Sequence, residues 1–155
     1  MISRILQKNT AIYISILAIG ALLTVLFLHT STGSISRTSY ILTEKESLVV
    51  TIADTVLSRE QGLSDTLRLK EGTGKLFIFD TPGTYGFWMK DMKYALDIFW
   101  IDTNWRVVDI SKNVVPETYP EVFRSATPIL YALEVNADEV KTNSLMIWSQ
   151  LNFQK

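Results

Sequence analysis

The chain has 155 residues, 47% hydrophobic and 20% charged, with a formal net charge of −1; this fits one domain plus an appendage and lacks the basic surplus of a nucleic-acid binder. It contains no cysteine and one histidine, His29, which excludes disulfides, thiolate nucleophiles and cysteine-held metals, and excludes any histidine-based triad or metal site beyond residue 29. Carboxylate, lysine, tyrosine or serine–lysine chemistry remains, or binding without chemistry.

Residues 1–10 carry Arg4 and Lys8 and read as a cytoplasmic stub. Residues 11–28 (AIYISILAIGALLTVLFL) are uncharged and apolar, just long enough to cross a bilayer core as a helix. No acidic residue occurs before Glu44, so the positive-inside bias leaves the N-terminus in the cytoplasm and everything after Leu28 outside. An uncleaved anchor is favoured over a signal peptide, because the apolar run exceeds a signal core and no A-x-A site follows it. Residues 29–46 are Ser/Thr-rich at their start and read as a flexible linker. An extracytoplasmic domain without cysteines points to a prokaryotic envelope.

The domain is expected from residue 47 to 155. From Leu48 onward 11 lysines and arginines face 14 aspartates and glutamates, a net of −3, so phosphate backbones would not be drawn to it. Residues 48–53 (LVVTIA) are β-branched and predict a strand. Asp54 or Thr55 can cap a short helix over residues 56–61, closed by Gly62. The Gly72-Thr73-Gly74 turn leads into a strand over 75–79, and Thr81-Pro82-Gly83 ends it. Residues 85–92 and 96–102 predict two strands with a short link. Thr103-Asn104 turns into a further strand over 105–110. Pro116, Pro120 and Pro128 break the next region into loop, where a binding loop could sit. Residues 129–135 (ILYALEV) predict a strand, and the Leu145-Met146-Ile147-Trp148 run a last one. The sum is an α+β domain, predominantly antiparallel β, shaped as a small barrel-like or strongly curled sheet with one or two short helices.

Several motifs in this order resemble the DUF192 (UPF0127) family. They are Ala53 to Leu63 with Arg59 and Gly62-Leu63, Gly74-Lys75-Leu76-Phe77-Ile78-Phe79, and Phe87-Trp88-Met89-Lys90-Asp91-Met92. Leu96-Asp97-Ile98 with Ile101-Asp102, and Ala132-Leu133-Glu134-Val135, complete the set. The resemblance implies a small, mostly β domain, often behind an N-terminal signal or anchor, and no established activity. The chain departs from the family pattern at Ser64, where methionine is usual, and near its end, where it has Asn136-Ala137-Asp138 and Asn143-Ser144.

Charges set among large apolar residues single out the candidate site, because a buried charge is costly unless paired or hydrogen-bonded. Along the first run Phe87, Met89 and Asp91 share one face, and Trp88, Lys90 and Met92 the other. Asp97 lies among apolar residues on both faces and needs a cation or several N–H donors. Arg59 and Lys90 are its expected partners, either as a polar pocket walled by Trp88 or as a structural salt bridge between helix and sheet. Glu134, with Ala132 on its face, could pair with Asp97 as two carboxylates. Asp91, Asp102 and Asp109 flank strand ends and match no EF-hand spacing, so they read as turn acids, with Asp91 also kept in the ligand-binding set. The expected ligand-binding set is therefore Arg59, Trp88, Lys90, Asp91, Asp97 and Glu134, with no catalytic residue, metal or cofactor assigned. Three functions remain open: a membrane-tethered module binding a small polar ligand or envelope polymer, an envelope assembly domain, and a carboxylate- or lysine-dependent enzyme. The missing histidine and cysteine weigh against the enzyme.

Overall fold

The computed structural model describes residues 38–42, 47–138 and 145–154. The expected stub, the apolar segment 11–28 and the first part of the linker lie outside the described residues. Among the described residues no helix is long and apolar enough to cross a membrane.

The elements follow as β1 (Thr38–Leu42), β2 (Ser47–Ala53), α1 (Val56–Gln61), β3 (Thr73–Gly83), β4 (Leu96–Ile101), β5 (Val107–Val114), a 3-10 turn at Pro116–Thr118, β6 (Ile129–Asn136) and β7 (Asn152–Gln154). The strands form one seven-stranded mixed sheet in the order β5-β4-β6-β3-β2-β1-β7. All its pairs are antiparallel except β2 with β3. That parallel pair departs from the all-short-link expectation. Residues 54–72, including α1, carry the chain back across the sheet, which parallel neighbours require.

The sheet is open, neither closed into a barrel nor curled on itself. β5 and β7 are its edges. The expected last strand over 145–148 is instead a turn, with Ser149 N–H donating to Met146 O at 2.9 Å. The true last strand, β7, pairs only with β1. β1 falls in the stretch read as linker. Its Ile41 is fully buried, and the Ser/Thr content before it masks the apolar run Tyr40-Ile41-Leu42.

The largest departure concerns residues 85–92. They form no strand and touch the rest of the backbone ladder only through an isolated bridge between Phe87 and Phe123. The expected two-face alternation holds from Phe87 to Lys90, with Phe87 and Met89 buried and Trp88 and Lys90 exposed, and breaks at Asp91, which is exposed. The segment is a strap over the second face of the sheet, held by the buried side chains of Phe87 and Met89 and by backbone hydrogen bonds to Phe123 and Asp65. At Gly86 the side chains of Val122 and Arg124 lie close, a Cβ there meeting Val122 Cγ1 at 2.7 Å.

α1 forms where expected. Thr55 Oγ1 accepts the Ser58 N–H at 3.1 Å and Ser58 Oγ accepts the Thr55 N–H at 3.0 Å, a reciprocal cap. Gly62 ends the helix at φ 50°, its N–H donating to Ser58 O. A six-residue helix with no buried residue depends on such ends. Thr55→Ala is expected to cost about 1 kcal/mol in urea unfolding, and Thr55→Ser much less; equal losses would mean the cap contributes nothing.

Both faces of the sheet are covered. One buries Ile41, Val50, Leu76, Phe99, Leu133 and Val135 under Leu145 and Leu151. The other buries Phe77, Ile98, Trp100 and Ala132 under Leu63, Phe87 and Met89. Neighbours such as Leu76 and Phe77 therefore point to opposite cores, and β4 is buried at all six positions.

Candidate functional site

On the second face, β3 and β6 pair with Lys75 directly opposite Glu134. α1, the 62–65 turn and the strap stand over this pair and leave a cleft of about 670 Å³. Its walls include Phe77 and Phe79 of β3, Tyr85, Phe87, Trp88 and Met92 of the strap, and Arg59 of α1. Glu134 lies at its base.

Arg59 fastens α1 to the sheet. Its guanidinium donates to Ile78 O at 2.7 Å and Asp54 O at 3.0 Å, meets Asp80 Oδ2 at 3.3 Å, and lies 5.6 Å above the Phe79 ring. Asp80 is largely exposed, so that ion pair adds little, and the backbone acceptors do more. The strap is tied to the 62–65 turn by Ser64 Oγ donating to Lys90 O at 2.9 Å and Asp65 N–H to Asp91 O at 3.0 Å. Asp91 turns the strap at φ 57°. On the aromatic side, Tyr85 stacks on Phe79 with centroids 3.5 Å apart, and Trp88 meets Tyr119 edge-on at 5.9 Å.

Glu134 is 6% exposed, and its Oε2 has no hydrogen-bond partner. Burial pushes its carboxyl up to about 8, against the opposing pull of Lys75. Burial likewise lowers Lys75, with Glu134 pulling the other way. The Lys75 ammonium donates to Gly62 O at 2.6 Å, which joins the end of α1 to the floor of the cleft. Tyr94 is raised, first by burial, with Thr66 opposing and Glu134 adding. A carboxyl that is neutral near pH 7 can both donate and accept a hydrogen bond.

The structure therefore gathers Arg59, Trp88, Lys90, Asp91 and Glu134 around one cleft, and sets Asp97 apart. Asp97 pairs with Val135 in the β4–β6 register, so its side chain emerges on the face opposite Glu134. The two carboxylates cannot act as a pair, and neither Arg59 nor Lys90 reaches Asp97. Its oxygens accept backbone N–H groups instead, from Asn113 at 2.7 Å and Asp138 at 3.3 Å. The other acids also bind backbone: Asp102 accepts from Asn104 and Arg106, and Asp109 from Ile110 and Ala126. Lys75 and the Phe79–Tyr85 wall were not singled out from the sequence. One signal was available: alternation places Lys75 on the face of Phe77 and Phe79, where a lysine needs a reason.

Residues 39–153 match the model of the family DUF192, described as an uncharacterized ACR. No curated protein matches the chain. A crystal structure from Sinorhizobium meliloti 1021, provisionally named a transcription regulator, is 27% identical and superposes with a TM-score of 0.70, covering 76% of this chain and 95% of its own. A protein of unknown function from Novosphingobium aromaticivorans DSM 12444 is 22% identical, with a TM-score of 0.68 over 79% of this chain and 89% of its own. The second likeness speaks for the fold alone.

Proposed function

This chain belongs to the DUF192 family, and from that premise we propose that its domain is a small-ligand binding module, tethered to a membrane by residues 11–28 and facing away from the cytoplasm. The observation that carries the binding reading is Glu134 Oε2, buried without a partner at the base of a roomy cleft. Leaving such an atom unmade costs about 1–3 kcal/mol, a cost that a ligand able to bond it would offset. A perturbed carboxyl in a cleft is a frequent mark of function. The tether rests on the uncharged segment with Arg4 and Lys8 before it.

An assembly role is the second reading. Met146, Ile147 and Trp148 are consecutive, and Trp148 is 71% exposed, more apolar surface than a free turn needs. A nucleic-acid role, which the name of the Sinorhizobium protein would suggest, is not favoured by a domain with 14 acidic and 11 basic side chains.

The test is native mass spectrometry of the full chain extracted from its own membranes in a mild detergent. Wild type is expected to carry a small molecule whose occupancy falls at least about tenfold in Glu134→Ala, the equivalent of one lost hydrogen bond or more. An empty wild type, or an adduct indifferent to Glu134→Ala, would overturn the reading.

A further inference from the structure

The small-ligand reading leaves the class of ligand open, and the cleft's chemistry narrows it. Its volume of about 670 Å³ lies within the ~300–1,000 Å³ usual for small-molecule sites. Three features then bear on charge.

First, the one guanidinium on the rim is already committed. Arg59 serves Ile78 O, Asp54 O and Asp80, so it has little left for a ligand carboxylate or phosphate. The rim also holds Glu60, Asp65 and Asp91 against Arg59 and Lys90, a mixed field with no anion-binding surplus. Second, a ligand ammonium at Glu134 would have Lys75 as its neighbour across the β3–β6 register. Lys75 is anchored to Gly62 O and cannot swing clear without breaking that bond. Like charges so placed repel strongly away from water. Third, Glu134 holds its proton near neutral pH, and its free Oε2 then suits a group that both donates and accepts. A hydroxyl does so; an ammonium only donates and a carboxylate only accepts. The half-exposed ring of Trp88 adds a requirement for a flat apolar surface on the same ligand.

We propose that the cleft takes an uncharged hydroxylated ring of the pyranose class, one hydroxyl bonded to Glu134 Oε2 and its C–H face laid on the half-exposed ring of Trp88. This rests on the small-ligand reading above and goes beyond it by fixing the charge and shape of the ligand. Glu134 Oε2 then has a partner, and the half-exposed Trp88 has a surface to cover. The site selects by neutrality: an amine on the same ring meets the Lys75 ammonium beside Glu134, and a carboxylate finds Arg59 already engaged and three acids on the mixed rim.

The test uses the full chain in a detergent without a sugar head group. Glucose and N-acetylglucosamine are titrated at pH 7 by ligand-observed NMR beside their charged counterparts, glucosamine and glucuronic acid. A neutral sugar is expected to bind at least about tenfold tighter than either charged one. Glu134→Gln, which keeps a neutral group that donates and accepts, is expected to hold affinity within about threefold, while Glu134→Ala and Trp88→Ala each lose about tenfold or more. The melting temperature of each variant shows that it is folded. Tightest binding by glucosamine or glucuronate would overturn the proposal, as would loss of binding in Glu134→Gln equal to that in Glu134→Ala. If no sugar binds while wild type retains a natural small molecule that Glu134→Ala loses, the pyranose class is wrong and the binding reading stands. If the cleft also carries no natural molecule, both fail.

Discussion

Glu134→Gln is expected to match wild type in stability at pH 4 and to exceed it by on the order of 4 kcal/mol at pH 8. The cause is where the proton sits. In the unfolded chain Glu134 ionises near 4.5, whereas in the folded domain burial raises it to about 8. Between those values the native state holds a proton that the unfolded state has released, so stability falls as pH rises. Below 4.5 both states are protonated and the difference vanishes. Glutamine has nearly the same shape and does not ionise, so the variant loses this slope. Lys75 works in the opposite sense: burial lowers it, the unfolded chain binds the extra proton, and its share of stability rises with pH. Tyr94, raised by burial, adds to the fall only at more alkaline pH. Comparing the two proteins at each pH from 4 to 8 by urea unfolding isolates the Glu134 part. Parallel pH profiles would show that Glu134 is solvated or already partnered. A residue that weakens its own fold at neutral pH is hard to explain by packing, and a functional site often carries that kind of cost.

Asp97→Ala is expected to destabilise the domain by about 3 kcal/mol while leaving occupancy of the cleft unchanged. The β4–β5 ladder slips between Leu96 and Ile98, and Asp97 sits opposite the irregularity. Its Oδ1 accepts the N–H of Asn113, at φ 48°, and its Oδ2 that of Asp138, at φ 61°. Left-handed backbone at two non-glycine residues is strained, and one carboxylate secures both. Alanine would strand two donors beside the core and release both turns. Asp97→Asn, which keeps one acceptor oxygen, should recover part of the loss. Denaturant midpoints measure the first effect and native mass spectrometry the second. A stable Asp97→Ala that sheds its ligand would move Asp97 back into the site.

Much of the frame was legible in the sequence because the relevant signals are local. The β-branched run before Ala53, the Thr55 cap and the Gly62 stop marked β2 and α1. The apolar runs of β4 and β6 announced central strands, since strands buried on both faces need no polar alternation. Alternation along residues 85–92 put Phe87 and Met89 on one face and Trp88 and Lys90 on the other, and the first pair is buried and the second exposed. It could not tell a strand from a strap, because the two differ in whether a neighbouring backbone is present, and that is a property of the whole chain.

The sequence by itself determined which residue types are available, and so ruled out histidine and cysteine chemistry in the domain. It also marked the charged residues in apolar surroundings that needed an explanation. Only the tertiary structure decided how those charges are matched. A one-residue step along a strand reverses the face of a side chain, so the register that aligns Asp97 with Val135 and Lys75 with Glu134 sent the two carboxylates to opposite sides of the sheet. Arg59 then found Ile78 O and Asp80, Asp97 found backbone N–H groups, and Glu134 alone was left at the base of the cleft with an oxygen unmatched.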